Sequence, residues 1–553
     1  MEDRGALRFH APAGAMDDTV RSLVKKYRDS VINLIRPYSS RWSLIAPASL
    51  NQDSLVFIQK LASPASAYHV ALSFRLCTSL NKEAFLLACK FLLIKHSQLR
   101  ASFRSITSNE QNETLSCQII SDPGDVPVIF DDREYSDSQS QTVLENDYNR
   151  EFDIENGPLV RWIVVNAHSD SPLILMTMHH AITDAWSVRI LFRELLATYS
   201  TLQKSSPEKL PCEPCYSYID FTLEQHESEN GNRFCSKLSS YSSTVKSCMT
   251  PLSLTTDFQR ATFTDLQGDT RPFTISADMY RKIASVAKEN AISVNTLLLS
   301  SFALFLYEET GQTHFVSGMP FANRSNPLFT NTVGYIVNTV ALPVTIASGS
   351  TCSELMQTVN ATILKSADFQ EIPFPALVAC ISPPRDLKHS PVFQVLFNYI
   401  SRPLIGNAGD FIYDGNPDDI RTVEGIDIKP FPVKQQEGQY DLTLEIIERN
   451  GYASGQFKYS TALFSSSSAQ RMLQHYLDTL NRLIDNPSGR VSEKKTQEQP
   501  RKKHLAIAAT FTADLLSEGL DFWINRLELE YEPVFTPYGQ ILQQLIDRSS
   551  EFN

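Results

Sequence analysis

Met178-His179-His180-Ala181-Ile182-Thr183-Asp184-Ala185-Trp186-Ser187 is the stretch on which the reading of this chain turns. Residues 172–178, just before the histidines, are rich in Ile, Leu and Met and predict a buried strand. Residues 187–199, just after, place Val188, Leu191, Phe192, Leu195 and Leu196 at helical spacing. Residues 179–186 therefore form a loop between a strand and a helix, a common place for functional side chains. Side chains alternate along a strand, so the two adjacent histidines point opposite ways, one to a cleft and one into packing. An imidazole in a cleft, with an ordinary pKa near 6.5, takes a proton at neutral pH. Asp184 is placed to brace the loop through an ion pair or backbone hydrogen bonds. Two satisfied histidines and a helix-capping aspartate would account for the same residues without chemistry. No third ligand stands at metal spacing, so no metal is expected.

The same alternation of patterns extends outward. Residues 68–76 and 158–165 read as strands, and residues 81–96 as an amphipathic helix capped by Asn81 or Ser79. Residues 278–289 and 293–310 read as helices; residues 315–319, 339–344, 392–399 and 442–448 read as strands. The expectation is an α/β fold with two lobes of similar content, residues 47–230 and 231–485. Residues 1–46 form a leader with an amphipathic helix over 20–35, read as capping the first lobe. Residues 486–503 are polar, locally basic and hold two prolines, which predicts a linker. Residues 504–553 restart with a strand at 505–511, a helix at 514–527, a strand opening at 534–535 and a helix from 541. That is the start of an α/β domain, too short to close a sheet by itself.

Composition narrows the class. The 553 residues are 42% hydrophobic, and 31 Phe with 20 Tyr supply a large core. A net charge of -12 argues against a nucleic-acid partner. Nine cysteines are too sparse for a disulfide framework, and Cys212 and Cys215 form a CxxC without a second pair. The opening Met1-Glu2-Asp3-Arg4-Gly5 carries no apolar signal, and the longest apolar run, residues 85–94, is broken by Lys90. A soluble, cytoplasmic protein with no membrane partner is expected. The sequons at Asn112, Asn323 and Asn360 carry no meaning in such a setting. Asp53-Ser54-Leu55 mimics a carrier attachment site but lacks the preceding glycines.

The histidine stretch is not isolated. Pro47-Ala48-Ser49-Leu50-Asn51-Gln52, Lys95 through Phe103, Phe152-Asp153 with Gly157-Pro158-Leu159-Val160-Arg161, and Tyr218-Ile219-Asp220-Phe221 follow one another in order. So do Val333-Gly334-Tyr335-Ile336-Val337-Asn338-Thr339, Gln370-Glu371-Ile372-Pro373-Phe374, and Arg385-Asp386-Leu387 with Ser390-Pro391-Val392-Phe393-Gln394. Together with the HHxxxD core, this series resembles the condensation domains of nonribosomal peptide synthetases across residues 47–485. The resemblance implies two chloramphenicol-acetyltransferase-like lobes in a V-shaped pseudo-dimer, with the site in a tunnel between them. It implies a catalytic His180, a structural His179, an Asp184 that holds the loop and pairs with Arg100, and an Asn338 near the channel. Trp186 and Ser187 would support the channel. The reaction implied is transfer of an acyl or peptidyl thioester to an amine. No intrinsic cofactor is implied; the phosphopantetheine arms arrive on donor and acceptor carrier domains, or the acceptor is a small molecule. The chain would be part of a larger synthetase.

Four positions depart from the family pattern. Ala185 replaces a glycine, Lys95 and Ser97 replace an arginine and a glutamate, and Pro375 replaces a glutamate. An ester-forming acyltransferase, an epimerase-like relative and a non-catalytic recruiting module remain alternatives. The tail residues Ala508 through Thr512, Phe522-Trp523 and Pro537-Tyr538-Gly539-Gln540 resemble the opening of haloacid-dehalogenase-related proteins. The DxDx phosphoryl-transfer motif is missing, so no phosphatase chemistry is expected.

Overall fold

The computed structural model describes residues 44–61, 65–107, 114–204, 216–229, 231–260, 266–383, 389–412, 415, 418–435, 438–491 and 520, together with short strands at Glu2–Asp3, Ala6–Leu7, Lys503–Ile507 and Tyr531–Phe535. The expected leader helix at 20–35, the CxxC at 212–215 and the tail helices from 514 and 541 lie outside the described residues. Two compact units emerge, residues 1–491 and residues 492–553. In the second, Lys503–Ile507 pairs in parallel with Tyr531–Phe535, close to the two strands expected from the sequence.

The first unit is built on two six-stranded sheets. One centres on Leu173–His179, flanked by His69–Leu76 and Val160–Val165, each antiparallel to it. Its helices are Lys82–Lys95, capped by Asn81 as expected, and Ala185–Lys204. The other sheet runs through Gly268–Ile275, Ala453–Ser460, Leu442–Glu448, Val395–Ile400, His314–Phe321 and Asn338–Thr345. The helix Val294–Thr310 is apolar on every side because it lies in that lobe's core, with Leu297, Leu298, Phe302 and Phe305 buried. Among the described residues no single helix is long and apolar enough to cross a membrane.

The chain does not divide cleanly at residue 230. Strands Arg421–Val423 and Ile426–Pro430 extend the first lobe's sheet, with Ile428 opposite Leu76. Phe411, Ile412 and Ile428 bury their side chains in the first lobe's core. Residues 486–491 likewise fold onto the second lobe instead of starting a linker. The carbonyls of Pro487 and Gly489 accept from the amides of Ser353 and Cys352, and Val491 is buried. Backbone bonds hold this stretch, which is why its lack of apolar periodicity misled.

Candidate active site

The strand Leu173–His179 ends where the sequence placed the loop, and a single 3-10 turn, His180–Ile182, joins it to the helix Ala185–Lys204. The two histidines part as strand alternation requires. His179 is wholly buried, opposite His69 in the sheet register. Its Nδ1 accepts the Ala181 amide at 3.1 Å, so its proton sits on Nε2. Burial, then the neighbouring rings of His69 and His180, hold its pKa well below the usual imidazole range. Burial likewise pushes His69 down to about 4. His179 is therefore a neutral packing residue.

His180 is half-buried instead. Its Nδ1 lies 2.8 Å from the Thr183 carbonyl oxygen. A carbonyl only accepts, so Nδ1 carries the proton and Nε2 keeps a free lone pair. Burial lowers its pKa, against the opposing pull of its own backbone hydrogen bond and of the Asp184 charge. The ring is neutral at neutral pH and has one basic nitrogen to offer. Its ring meets that of Tyr335, from the second lobe, in a T-shaped contact with centroids 4.9 Å apart.

Asp184 binds both lobes. Its Oδ1 caps the helix by accepting the Ser187 amide at 2.7 Å, and its Oδ2 accepts the Ile336 and Val337 amides at 3.1 Å each. The guanidinium of Arg324 completes the set, 3.1 and 3.2 Å from the two oxygens. The pairing with Arg100 implied by the resemblance does not occur. Arg100 sits in the turn after the helix Lys82–Lys95, where its Nε donates to the Leu93 carbonyl at 2.8 Å and its Nη1 to the Ser121 carbonyl. The open carbonyls of the helix's last turn claim that guanidinium.

The remaining expected residues are structural ties around the loop. Ser187 Oγ donates to the Gly334 carbonyl at 3.0 Å and accepts the Gly334 amide at 3.1 Å. Trp186 Nε1 donates to the Thr330 carbonyl at 2.9 Å, and Arg189 stacks on its ring at 4.2 Å. Asn338 is buried, and its amide is fully committed: it donates to the Gln370 and Ile372 carbonyls and accepts from the Phe374 amide and Asn51. Asn338 thus bolts three of the ordered segments together and does not present a group to a ligand.

Residues that sequence reasoning passed over complete the frame. Gln52 Nε2 donates to the Ala181 carbonyl at 2.9 Å, which ties the opening segment to the histidine turn. The Tyr218 hydroxyl donates to the Tyr335 carbonyl and lies 2.9 Å from Ser49 Oγ. A Cβ at residue 334 would run into the Tyr218 ring, so only glycine fits there. Arg324 was visible only inside the dismissed sequon at Asn323. Ala185, where the family pattern has a glycine, is the first residue of its helix and has no positive φ, so alanine sits there without backbone strain. A separate cavity of about 400 Å³, bordered by Phe221, Glu224, Arg233, Lys237 and Glu371, does not include His180.

The two lobes meet at one turn, which pairs a half-buried, neutral imidazole with a lobe-bridging aspartate. Comparison with known proteins makes this specific. The family model for the condensation domain matches residues 44–506, and the chain belongs to that family. It is 27% identical over 494 residues to malpinin synthetase of Mortierella alpina, covering 89% of this chain and 6% of that protein. It is 25% identical over 447 residues to gramicidin S synthase 2 of Aneurinibacillus migulanus, covering 81% of this chain and 9% of that protein. The chain thus spans less than a tenth of either relative's length. Among solved structures, a four-domain holo nonribosomal peptide synthetase bound to AMP and glycine matches with a TM-score of 0.72 at 25% identity, over 83% of this chain and 34% of that one. The condensation domain from the Monacolin K polyketide synthase MokA matches in fold, with a TM-score of 0.68 at 15% identity over 81% of this chain and 99% of that one.

Proposed function

We propose that this chain joins a carrier-bound acyl or peptidyl thioester to an acceptor amine, forming an amide within a larger nonribosomal peptide or hybrid assembly. The observation that carries this reading is the tautomer of His180. Its Nδ1–H is spent on the Thr183 carbonyl, and its Nε2 lone pair is free on a ring that stays partly open. In the proposed step the amine nitrogen attacks the thioester carbonyl. The N–C bond forms, the amine proton passes to His180 Nε2, and collapse of the tetrahedral intermediate breaks the C–S bond. The departing thiolate then takes that proton and leaves as the donor carrier's thiol. The first amides of the helix, Ala185 and Trp186, have no acceptor among the described residues, which supports their use as oxyanion donors. Alignment of two tethered reactants would supply the larger part of the rate.

Phosphopantetheine arms on donor and acceptor carriers are the proposed delivery, supported by the multidomain synthetases the chain resembles. A cytoplasmic location belongs to the same proposal, supported by the sparse cysteines, of which Cys89 and Cys117 are buried thiols. The test is reconstitution with a loaded donor carrier and an aminoacyl acceptor carrier, the product weighed by mass spectrometry. Wild type is expected to form the amide. His180→Ala is expected to lose about 10²–10⁴-fold in rate while still binding both carriers. Equal rates for the two proteins would refute the assignment, and ester formation with a hydroxyl acceptor in place of amide would correct the product class.

A further inference from the structure

Three tyrosines crowd the histidine turn from both lobes. Tyr335 packs its ring against His180. Tyr68 ends the turn Ala65–Tyr68 immediately before the strand in which His69 faces His179, so the register sets Tyr68 level with His180. Tyr440 follows Gln439, whose side-chain amide donates to the Ala67 carbonyl at 2.6 Å, which brings Tyr440 beside Tyr68. All three are half-buried, and none of their hydroxyls makes a hydrogen bond among the described residues.

Other tyrosines of the two lobes behave differently. Tyr218 reaches Ser49 and the Tyr335 carbonyl, Tyr241 reaches Ala341, and Tyr148 reaches the carbonyls of Ser66 and His69. A phenol drawn this far out of water ordinarily finds a partner. Three that do not, gathered around the half-buried His180 ring, offer hydroxyls that a ligand entering beside that ring can meet. Burial holds all three phenols protonated, with Tyr440 pushed up to about 12, so each can donate as well as accept. Uncharged donors of this kind suit an uncharged polar group.

We propose that Tyr68, Tyr335 and Tyr440 form a hydroxyl-lined subsite beside His180 that selects substrate residues bearing a hydroxyl or a carboxamide over apolar residues of the same shape. The proposal rests on His180 marking the reacting centre. A site built to hydrogen-bond a hydroxyl discriminates against the isostere lacking it, because its own donors are then left unpaired.

The probes are aminoacyl thioesters of N-acetylcysteamine in matched pairs, threonyl against valyl and asparaginyl against leucyl. Binding is read by calorimetry on the full chain carrying His180→Ala, where turnover cannot interfere, and on wild type. The polar member of each pair is expected to bind at least ~10-fold more tightly. Tyr335→Phe and Tyr440→Phe, which keep the ring, are expected to bring that ratio toward one by weakening only the polar member, and Tyr68→Phe to do the same. A ratio near one in the unmodified site, a ratio unchanged by all three Phe variants, or no binding of either member to wild type overturns the subsite. Loss of the catalytic reading looks different: a wild type that makes no product yet keeps the binding ratio would retain the subsite and discard the reaction.

Discussion

The two lobes each carry an antiparallel hairpin that runs into a 20-residue helix. In the first, Val160–Val165 and Leu173–His179 lead through residues 180–184 to Ala185–Lys204. In the second, Leu442–Glu448 and Ala453–Ser460 lead through residues 461–465 to Ser466–Asp485. The connecting loops have equal length. The first opens on His180 and closes on Asp184; the second opens on Thr461 and closes on Ser465. Ser465 caps its helix by accepting the Ser468 amide and leans on Asp257 within its own lobe. Asp184 caps its helix too, but spends its remaining lone pairs on Arg324 and two amides across the lobe boundary. One scaffold, used twice, is a plain helix start in one lobe and a lobe-bridging imidazole mount in the other. The difference lies in two side chains.

Writing the second lobe's residues into the first breaks the comparison most sharply. His180→Thr is expected to lower amide formation by about 10²–10⁴-fold with the denaturation midpoint unchanged. Adding Thr461→His to that variant is expected to restore nothing, since the second junction lacks the lobe-bridging carboxylate; recovered activity would show the two junctions to be interchangeable. Asp184→Ser keeps the helix cap but strands the Arg324 guanidinium, whose side chain is 2% exposed. A loss of about 3 kcal/mol, read by urea unfolding, is expected, at the low end for breaking a buried pair because the Phe329 and Thr332 carbonyls still accept from Arg324. Gly334→Ala is expected to cost about 1–3 kcal/mol as its Cβ meets the Tyr218 ring. Arg100→Lys, away from the junction, is expected to cost about 1 kcal/mol and leave the rate alone, because its bonds go to the Leu93 and Ser121 carbonyls and not to Asp184. A stability loss there as large as that of Asp184→Ser would restore the discarded Arg100–Asp184 link.

How much of this was legible follows from what periodicity can carry. The strand, the turn and the helix around His180 were readable because apolar spacing reports which face is buried, and alternation separated His179 from His180. The same signal was present in Ile426-Asp427-Ile428, whose side chains are buried, exposed and buried in turn. Alternation names a buried face, not the sheet that buries it, so the return of this strand to the first lobe could not be read. Arg324 and Asp184 are separated by 140 positions, and a lone arginine has no spacing to betray its partner. The family resemblance pointed to Asp184 as a brace but supplied the wrong cation, Arg100, whose guanidinium its own helix end had already engaged.

The central claim is that His180 works as a neutral base held by the Thr183 carbonyl. Its most direct test is the pH dependence of kcat/KM with an arylamine acceptor, which stays unprotonated across the range and leaves the acid limb to the enzyme. A folded-state pKa depressed below 6.5 keeps the ring neutral as pH falls through 6.5, so the rate is expected to hold there and fall only at lower pH. The residual rate of His180→Ala is expected to lack that limb. A wild-type limb at or above 6.5, or the same limb in the variant, would contradict the account.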